Sequence, residues 1–144
     1  LAEILLRAER LDEAARVAEE AYRLAPTGAP ALASAAATWA RVLLGRGEAS
    51  AALPLAEEAA ALLFQLGGTD EGEGTIRCVA AEALFAVGRV DEGRARLRDS
   101  LRALEQRAAR FVEPESRQRF LAIPAHARTR ELAALHLPHV TDVR

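Results

Sequence analysis

The sequence lacks several residue types, and each absence excludes a class of protein. Its 144 residues include one cysteine and no methionine, and every basic side chain is an arginine. A single cysteine excludes an internal disulfide framework. No apolar run approaches the ~20 residues that a membrane-spanning helix needs, and no basic-then-apolar signal pattern opens the chain. We therefore expect a cytoplasmic protein with no membrane association.

Strand-forming patterns are also scarce. Aromatic side chains make up only 4% of the chain, and no segment alternates apolar and polar residues as a half-buried strand does. Alanine, in contrast, supplies roughly a quarter of the sequence. Alanine has the highest helix propensity, and its small side chain lets two helix backbones approach closely. The composition therefore predicts an all-α fold of closely packed helices.

The net charge of −2 is unevenly distributed along the chain. Residues 1–88 carry seven basic and 13 acidic side chains, whereas residues 89–130 carry 11 arginines and six acids. An all-arginine basic set fits either anion recognition or a coding sequence rich in G and C. Nucleic-acid binding through residues 89–130 is therefore one hypothesis. Against it, acidic residues interleave with the stripe of Arg94, Arg98 and Arg102, and no stacking aromatic residues accompany that stripe.

Three segments of similar pattern repeat along the chain, at residues 11–26, 49–62 and 90–103. In each, small or apolar residues recur at i, i+4 and i+7, which places them on one face of a helix. A second helical pattern precedes each segment, and Gly or polar residues separate the two. Ala14, Ala52 and Gly93 occupy equivalent positions in the three segments. The sequence thus predicts three helical hairpins.

The first segment resembles the second helix of a tetratricopeptide repeat, and a stretch further on is similar to the first helix of such a repeat. The resemblance covers residues 1–104, although both repeat spacings exceed the family's usual value of about 34, and Gly93 and Ser100 stand where the family usually has Ala. It implies a right-handed α-solenoid of antiparallel helix hairpins, with seven or eight helices in this chain. The residues that carry it are Leu11-Asp12-Glu13-Ala14, Ala18, Ala21 and Pro26, then Trp39-Ala40 and Leu43.

The same resemblance divides the chain into parts. Residues 1–112 hold three helix-pair repeats, namely 1–28 with a truncated first helix, 29–68 and 69–112, and residues 113–144 hold short C-terminal helices and a tail. Leu1 falls inside a helical pattern, so we expect a fragment of a larger protein. The string Arg119-Phe120-Leu121-Ala122-Ile123-Pro124, with Ala127-Arg128-Thr129, resembles a tail that follows repeat arrays in large bacterial multidomain proteins with a kinase or a signalling ATPase.

A solenoid of this family implies a continuous concave groove, lined by the first helix of each unit. The resemblance therefore implies an interaction scaffold that binds a protein or peptide partner in that groove. The alternative is a spacer or self-association module that pairs through an exposed N-terminal repeat end. The residues that the resemblance places in the groove are Glu3, Leu6, Arg7, Ala37, Arg41, Leu44, Cys78, Glu82 and Phe85.

No constellation of residues predicts chemistry, so we expect no enzymatic activity, no cofactor and no metal. His136 and His139 with Asp142 could suit a metal, but Pro138 lies between the histidines and no second ligand pair exists. Cys78 is interpreted as a buried structural thiol, and the pair Glu57-Glu58 as part of a solvated face. Trp39 and Phe85 are interpreted as packing residues.

Local signals predict where helices begin and end. Pro54, four residues after Ser50, predicts a late or distorted start for its helix. Gly67 suits a left-handed helix end, and Asp70 with Glu73 could cap the next helix. A long helix is expected over residues 90–112, followed by a short one that begins at Pro114 and a last one over residues 125–137.

Overall fold

The computed structural model describes residues 1–2, 10–69 and 72–137. Seven helices occupy this part of the chain and it contains no strand, which confirms the all-α prediction. No helix within those ranges is both long and apolar enough to cross a membrane. The helices are α1 (Leu11–Leu24), α2 (Pro30–Gly45), α3 (Ala49–Gln65), α4 (Glu73–Ala86), α5 (Val90–Ala108), α6 (Pro114–Leu121) and α7 (Pro124–His136).

Glycine ends three of these helices in the same way. Gly47, Gly67 and Gly88 follow α2, α3 and α4 with positive φ angles of 77°, 71° and 85°. The amide of the residue after each glycine donates to the carbonyl five positions back, at 2.8 to 3.1 Å. This arrangement needs a left-handed residue, which glycine adopts without strain. The predicted role of Gly67 is confirmed, and the same helix end recurs after each helix of this group.

The prediction for Pro54 is wrong, because α3 neither starts late nor stops at the proline. The helix begins at Ala49 and continues through Pro54. The amide of Ala52 donates to the carbonyl of Glu48 at 3.0 Å and so closes the first turn ahead of the proline. Pro54 then removes only the amide that would bond to Ser50. Packing holds this part of the helix, since Ala52 and Ala56 on either side are completely buried.

Other helix boundaries differ from the predicted ones by a few residues. α4 begins at Glu73 after Gly72, whose φ of 79° sets the entry without a side-chain cap; Asp70, the predicted capping residue, lies outside the described residues. α5 ends at Ala108, earlier than predicted. α6 begins at Pro114 as predicted, and α7 begins at Pro124, because proline fits the first turn of a helix where its missing amide has no partner.

The helices pack in a regular order. Each helix from α1 to α5 packs against the next one along the chain, and α4 also packs against α2. α7 takes up an equivalent position further on, because it contacts both α4 and α5. Hence α2, α4 and α7 lie side by side, and we call them the central row. The segment from residue 113, predicted as short helices and a tail, thus supplies one member of this row.

Alanine fills the contacts between these helices. The largest apolar cluster joins α2, α3 and α4, with Leu43, Leu63, Ile76 and Val79 as its larger side chains and Trp39 at its edge. Trp39 also lies against Tyr22, with ring centroids 5.2 Å apart, and is a packing residue as predicted. Larger side chains at the alanine positions would hold the helices further apart. The alanines of the cluster, all completely buried, are Ala33, Ala36, Ala37, Ala40, Ala52, Ala56, Ala59 and Ala83.

Candidate binding cleft

A cleft of about 540 Å³ lies along the central row, and we call it the central cleft. Matching positions of α2 and α4 line two of its sides. Each lining residue of α2 has a counterpart in α4, and the offset along the chain is the same for every pair. The side chains at these positions recur at i, i+3, i+4 and i+7, so they form one stripe on each helix. The matched pairs are Ser34 with Thr75, Ala37 with Cys78, Thr38 with Val79, and Arg41 with Glu82.

The start of α7 forms the third side of the central cleft, through Pro124, Ala125 and Arg128. Arg128 Nε donates to Glu82 Oε1 at 2.8 Å, an ion pair between residues 46 positions apart. The Glu82 side chain is only 25% exposed, and its hydrogen bond raises the pKa of Arg128. The pair therefore holds α7 against α4 at the rim of the cleft.

Cys78 lines the central cleft but is 7% exposed, which confirms the prediction of a buried thiol. Its Sγ donates to Glu82 Oε1 at 3.6 Å. Burial, with the negative charge of Glu82, raises the pKa of Cys78 to about 12. The thiol is therefore protonated at neutral pH, and it is a poor nucleophile because the thiolate is the reactive form.

Four of the nine predicted groove residues line this cleft: Ala37, Arg41, Cys78 and Glu82. Leu44 lies elsewhere, packed against the largest apolar cluster.

Phe85 also lies away from the cleft lining, because α7 covers it. Its ring stacks on His136 of α7, with centroids 3.9 Å apart and an interplanar angle of 12°. The remaining predicted groove residues, Glu3, Leu6 and Arg7, lie outside the described residues.

Sequence reasoning did not predict that α7 forms one side of the cleft. A signal for it exists, because Thr129, Leu132, Ala133 and Leu137 follow one another at i, i+3, i+4 and i+8, and all four are buried. Such spacing is typical of a helix that buries one face. The pattern indicates that this helix packs on something, but it does not indicate that α4 and α5 are the partners.

Gly74 allows α7 to approach α4 so closely. A Cβ at Gly74 would lie 2.6 Å from Cδ2 of His126, a distance that would force one of them to move. His126 is itself buried, and its Nδ1 lies 2.7 Å from the carbonyl oxygen of Phe120. This contact fixes the first turn of α7 and therefore the position of the third side of the cleft.

The histidine pair considered as a metal site lies only partly within the described residues. No group of three or more His, Cys, Asp or Glu side chains there could hold a metal ion. His136 is occupied in its stack with Phe85, whereas His139 and Asp142 lie outside the described residues.

Comparison with family models, with curated proteins and with solved structures finds no match to this chain. The chemistry of the central cleft therefore has to be inferred from its own residues.

Proposed function

We propose that the protein is an interaction scaffold, which binds a peptide or a segment of a protein partner in the central cleft. We further propose that its hairpins form a right-handed α-solenoid of the tetratricopeptide kind. The observation that supports both proposals is the shared register of α2 and α4, whose matching positions line one cleft at a constant offset along the chain. Stacked repeats create a surface of this kind, because each unit presents the same helix face.

The residues of the cleft suit an extended or helical peptide with both apolar and charged side chains. Ile123 and Pro124, both exposed, offer apolar surface, while Thr38 and Thr75 offer hydroxyl groups. Arg41, half-buried on α2, can bind a carboxylate of the partner through a charge-assisted hydrogen bond. A volume of about 540 Å³ accommodates a few side chains rather than a folded domain.

The alternative functions have less to support them. Two of the five arginines of α5 are paired with acids of the same helix, Arg94 with Asp91 at 3.8 Å and Arg102 with Asp99 at 3.9 Å. This pairing reduces the charge that an extended nucleic acid could use. Self-association through the N-terminal repeat end stays a prediction, since residues 3–9 lie outside the described residues. We expect no enzymatic activity.

A blocked cleft tests the proposal. Peptides selected from a displayed library of random sequences against the whole chain provide the probe. In the variant Thr75→Trp with Arg41→Glu, an indole fills the cleft and a cation is reversed, so we expect the affinity of these peptides to fall about tenfold or more. Fluorescence polarisation of labelled peptides measures the affinity.

The matched control is Thr27→Trp with Arg16→Glu, the same changes at exposed positions outside the cleft. We expect it to bind as the unchanged protein does, and we expect both variants to keep the helical circular dichroism. Failure to select any binding peptide, or equal loss in the control, would contradict the proposal.

A further inference from the structure

A second and larger cleft, of about 1090 Å³, adjoins the central cleft at Ser34, which lines both. The start of α2, the connection from α3 to α4, the start of α4 and the last turns of α5 surround it. We call it the arginine cleft. Its polar and charged lining includes Ser34, Glu73, Arg77, Gln106, Arg107 and Arg110.

One of the three arginines is neutralised within the cleft. Arg77 Nε donates to Glu73 Oε1 at 2.9 Å. The other oxygen of this carboxylate, Oε2, accepts the backbone amide of Thr69 at 3.4 Å. Glu73 is thus bound on both sides and its charge is balanced by Arg77.

The other two arginines keep their charge. Among the described residues, neither Arg107 nor Arg110 forms a salt bridge with a carboxylate. This contrasts with Arg89, Arg94 and Arg102 earlier in the chain, which are all paired with acids. Two cations with no salt bridge to any described carboxylate therefore line one concave site.

The Arg107 side chain is held in place by the protein itself, without a ligand. Gln106, Arg107 and Arg110 follow Ala103 at i+3, i+4 and i+7, so they share one stripe of the helix and the turn after it. The Arg107 guanidinium lies over the ring of Phe120, with Cζ 5.3 Å from the ring centroid. This cation–π contact restricts the side chain, so less conformational entropy is lost when it binds an anion.

We infer that the arginine cleft binds a compact phosphate-bearing ligand, an oligophosphate or a phosphate ester, through Arg107 and Arg110. A guanidinium matches phosphate because its donors form two parallel hydrogen bonds to phosphate oxygens. Ser34 and Gln106 add neutral hydrogen-bonding groups for the rest of the ligand. None of the described residues that line the cleft is aromatic, so it offers no stacking surface for a nucleobase.

Calorimetric titration of the whole chain with tripolyphosphate at about 0.15 M salt, where charges more than ~8 Å apart are largely screened, tests the inference. We expect one molecule to bind per chain. In the double variant Arg107→Gln with Arg110→Gln, the affinity should fall about tenfold or more, because two charge-assisted contacts are lost. Absence of binding to the unchanged protein would overturn the inference.

The matched control is Arg96→Gln with Arg98→Gln. Both residues are exposed on α5 and line neither cleft, so this variant loses the same charge without changing the site. We expect its affinity to stay within about twofold of the unchanged protein, because screening weakens distant charges. Equal weakening in both double variants would show diffuse attraction and would overturn the inference.

Four further measurements complete the test. The single variant Arg110→Gln, at an exposed position, keeps the contact of Arg107 with Phe120 and should still weaken binding, so misfolding cannot explain the loss. Titration with glycerol phosphate and with pyrophosphate distinguishes an ester from an oligophosphate.

A duplex oligonucleotide that binds more tightly than tripolyphosphate, and equally well to both double variants, would overturn the inference in favour of an extended nucleic-acid surface. Thr75→Trp should leave tripolyphosphate binding unchanged, which separates this site from the central cleft.

Discussion

At the scale of single residues, the contact between Tyr22 and Glu58 shows what sequence reasoning can miss. Tyr22 of α1 donates to Glu58 Oε2 of α3 at 2.7 Å. From the sequence, Glu58 is interpreted as part of a solvated face, because Glu57 and Glu58 face different directions on their helix. No local pattern indicates a partner 36 positions earlier. The hydrogen bond to Glu58, with burial and the carboxylate charge, raises the pKa of Tyr22.

Removing the Glu58 charge should therefore change the titration of Tyr22. In Glu58→Gln we expect the pKa of Tyr22 to fall towards its ordinary value, because a phenolate no longer faces a carboxylate. Tyr22 is the single tyrosine of the chain, so ultraviolet absorbance of tyrosinate reports it alone. Glu57→Gln is the control, since Glu57 faces Arg89 instead, at 3.7 Å. An unchanged pKa in Glu58→Gln would contradict the hydrogen bond.

The hydrogen bond between Tyr22 and Glu58 also makes the free energy of unfolding depend on pH. The folded protein holds the Tyr22 proton more tightly than the unfolded chain, so its contribution to the free energy of unfolding is fully present below the unfolded pKa of ~10. This contribution is lost as the pH rises through the higher folded pKa.

At the scale of helices, two departures from the repeat pattern have structural reasons. Gly93 of α5 stands where the other segments have Ala14 and Ala52, because the ring of Phe85 occupies the space of a side chain. A Cβ there would lie 2.9 Å from Cδ1 of Phe85. Ser100, the second departure, forms a hydrogen bond that an alanine could not form. Its Oγ donates to the carbonyl oxygen of Arg96 at 2.8 Å, and it also lies 3.3 Å from the carbonyl oxygen of Arg77 on α4.

Gly93→Ala should destabilise the protein although alanine is the better helix former. The gain in helix propensity is about 1 kcal/mol, whereas overpacking against the partly buried ring of Phe85 costs about 1–3 kcal/mol. We expect a net loss of about 1 kcal/mol in the free energy of unfolding, measured in urea. In a Phe85→Leu background the loss should shrink or reverse, because the ring is gone. Additive effects of the two substitutions would refute the steric explanation.

At the scale of the whole molecule, α7 packs against α4 and α5 in the C-terminal half of the described chain. A separate apolar cluster joins α4, α5 and α7, and it includes Cys78, Ala81, Leu97 and Leu132. The cluster around Ala14, Ala18 and Val42 lies at the opposite end. Because each cluster involves only neighbouring helices, we expect damage at one end to leave the other largely intact.

Leu132→Ala tests this expectation, since Leu132 is 4% exposed. Loss of its buried side chain should cost about 2–5 kcal/mol and loosen α7 first. Labelling of the single cysteine, Cys78, should become faster in native conditions, while fluorescence of the single tryptophan, Trp39 on α2, stays unchanged. Leu135→Ala is the control, because Leu135 on the same helix is 73% exposed. Slow labelling in Leu132→Ala, or a simultaneous change at Trp39, would count against independent ends.

The helices, their alanine faces and most of their ends could be predicted from the residues alone. These are local properties: helix propensity belongs to each residue, and glycine at Gly67 or Gly88 accepts a left-handed backbone wherever it stands. Four of the residues that line the central cleft, Ala37, Arg41, Cys78 and Glu82, were predicted as well, because they repeat at matching positions of α2 and α4.

Three other features could be seen only in the tertiary structure. α7 lies beside α4, Arg128 closes the central cleft on Glu82, and Arg107 and Arg110 lie together near the start of α2. Each of these depends on contacts between residues far apart in the chain, and no local pattern encodes which distant surfaces meet.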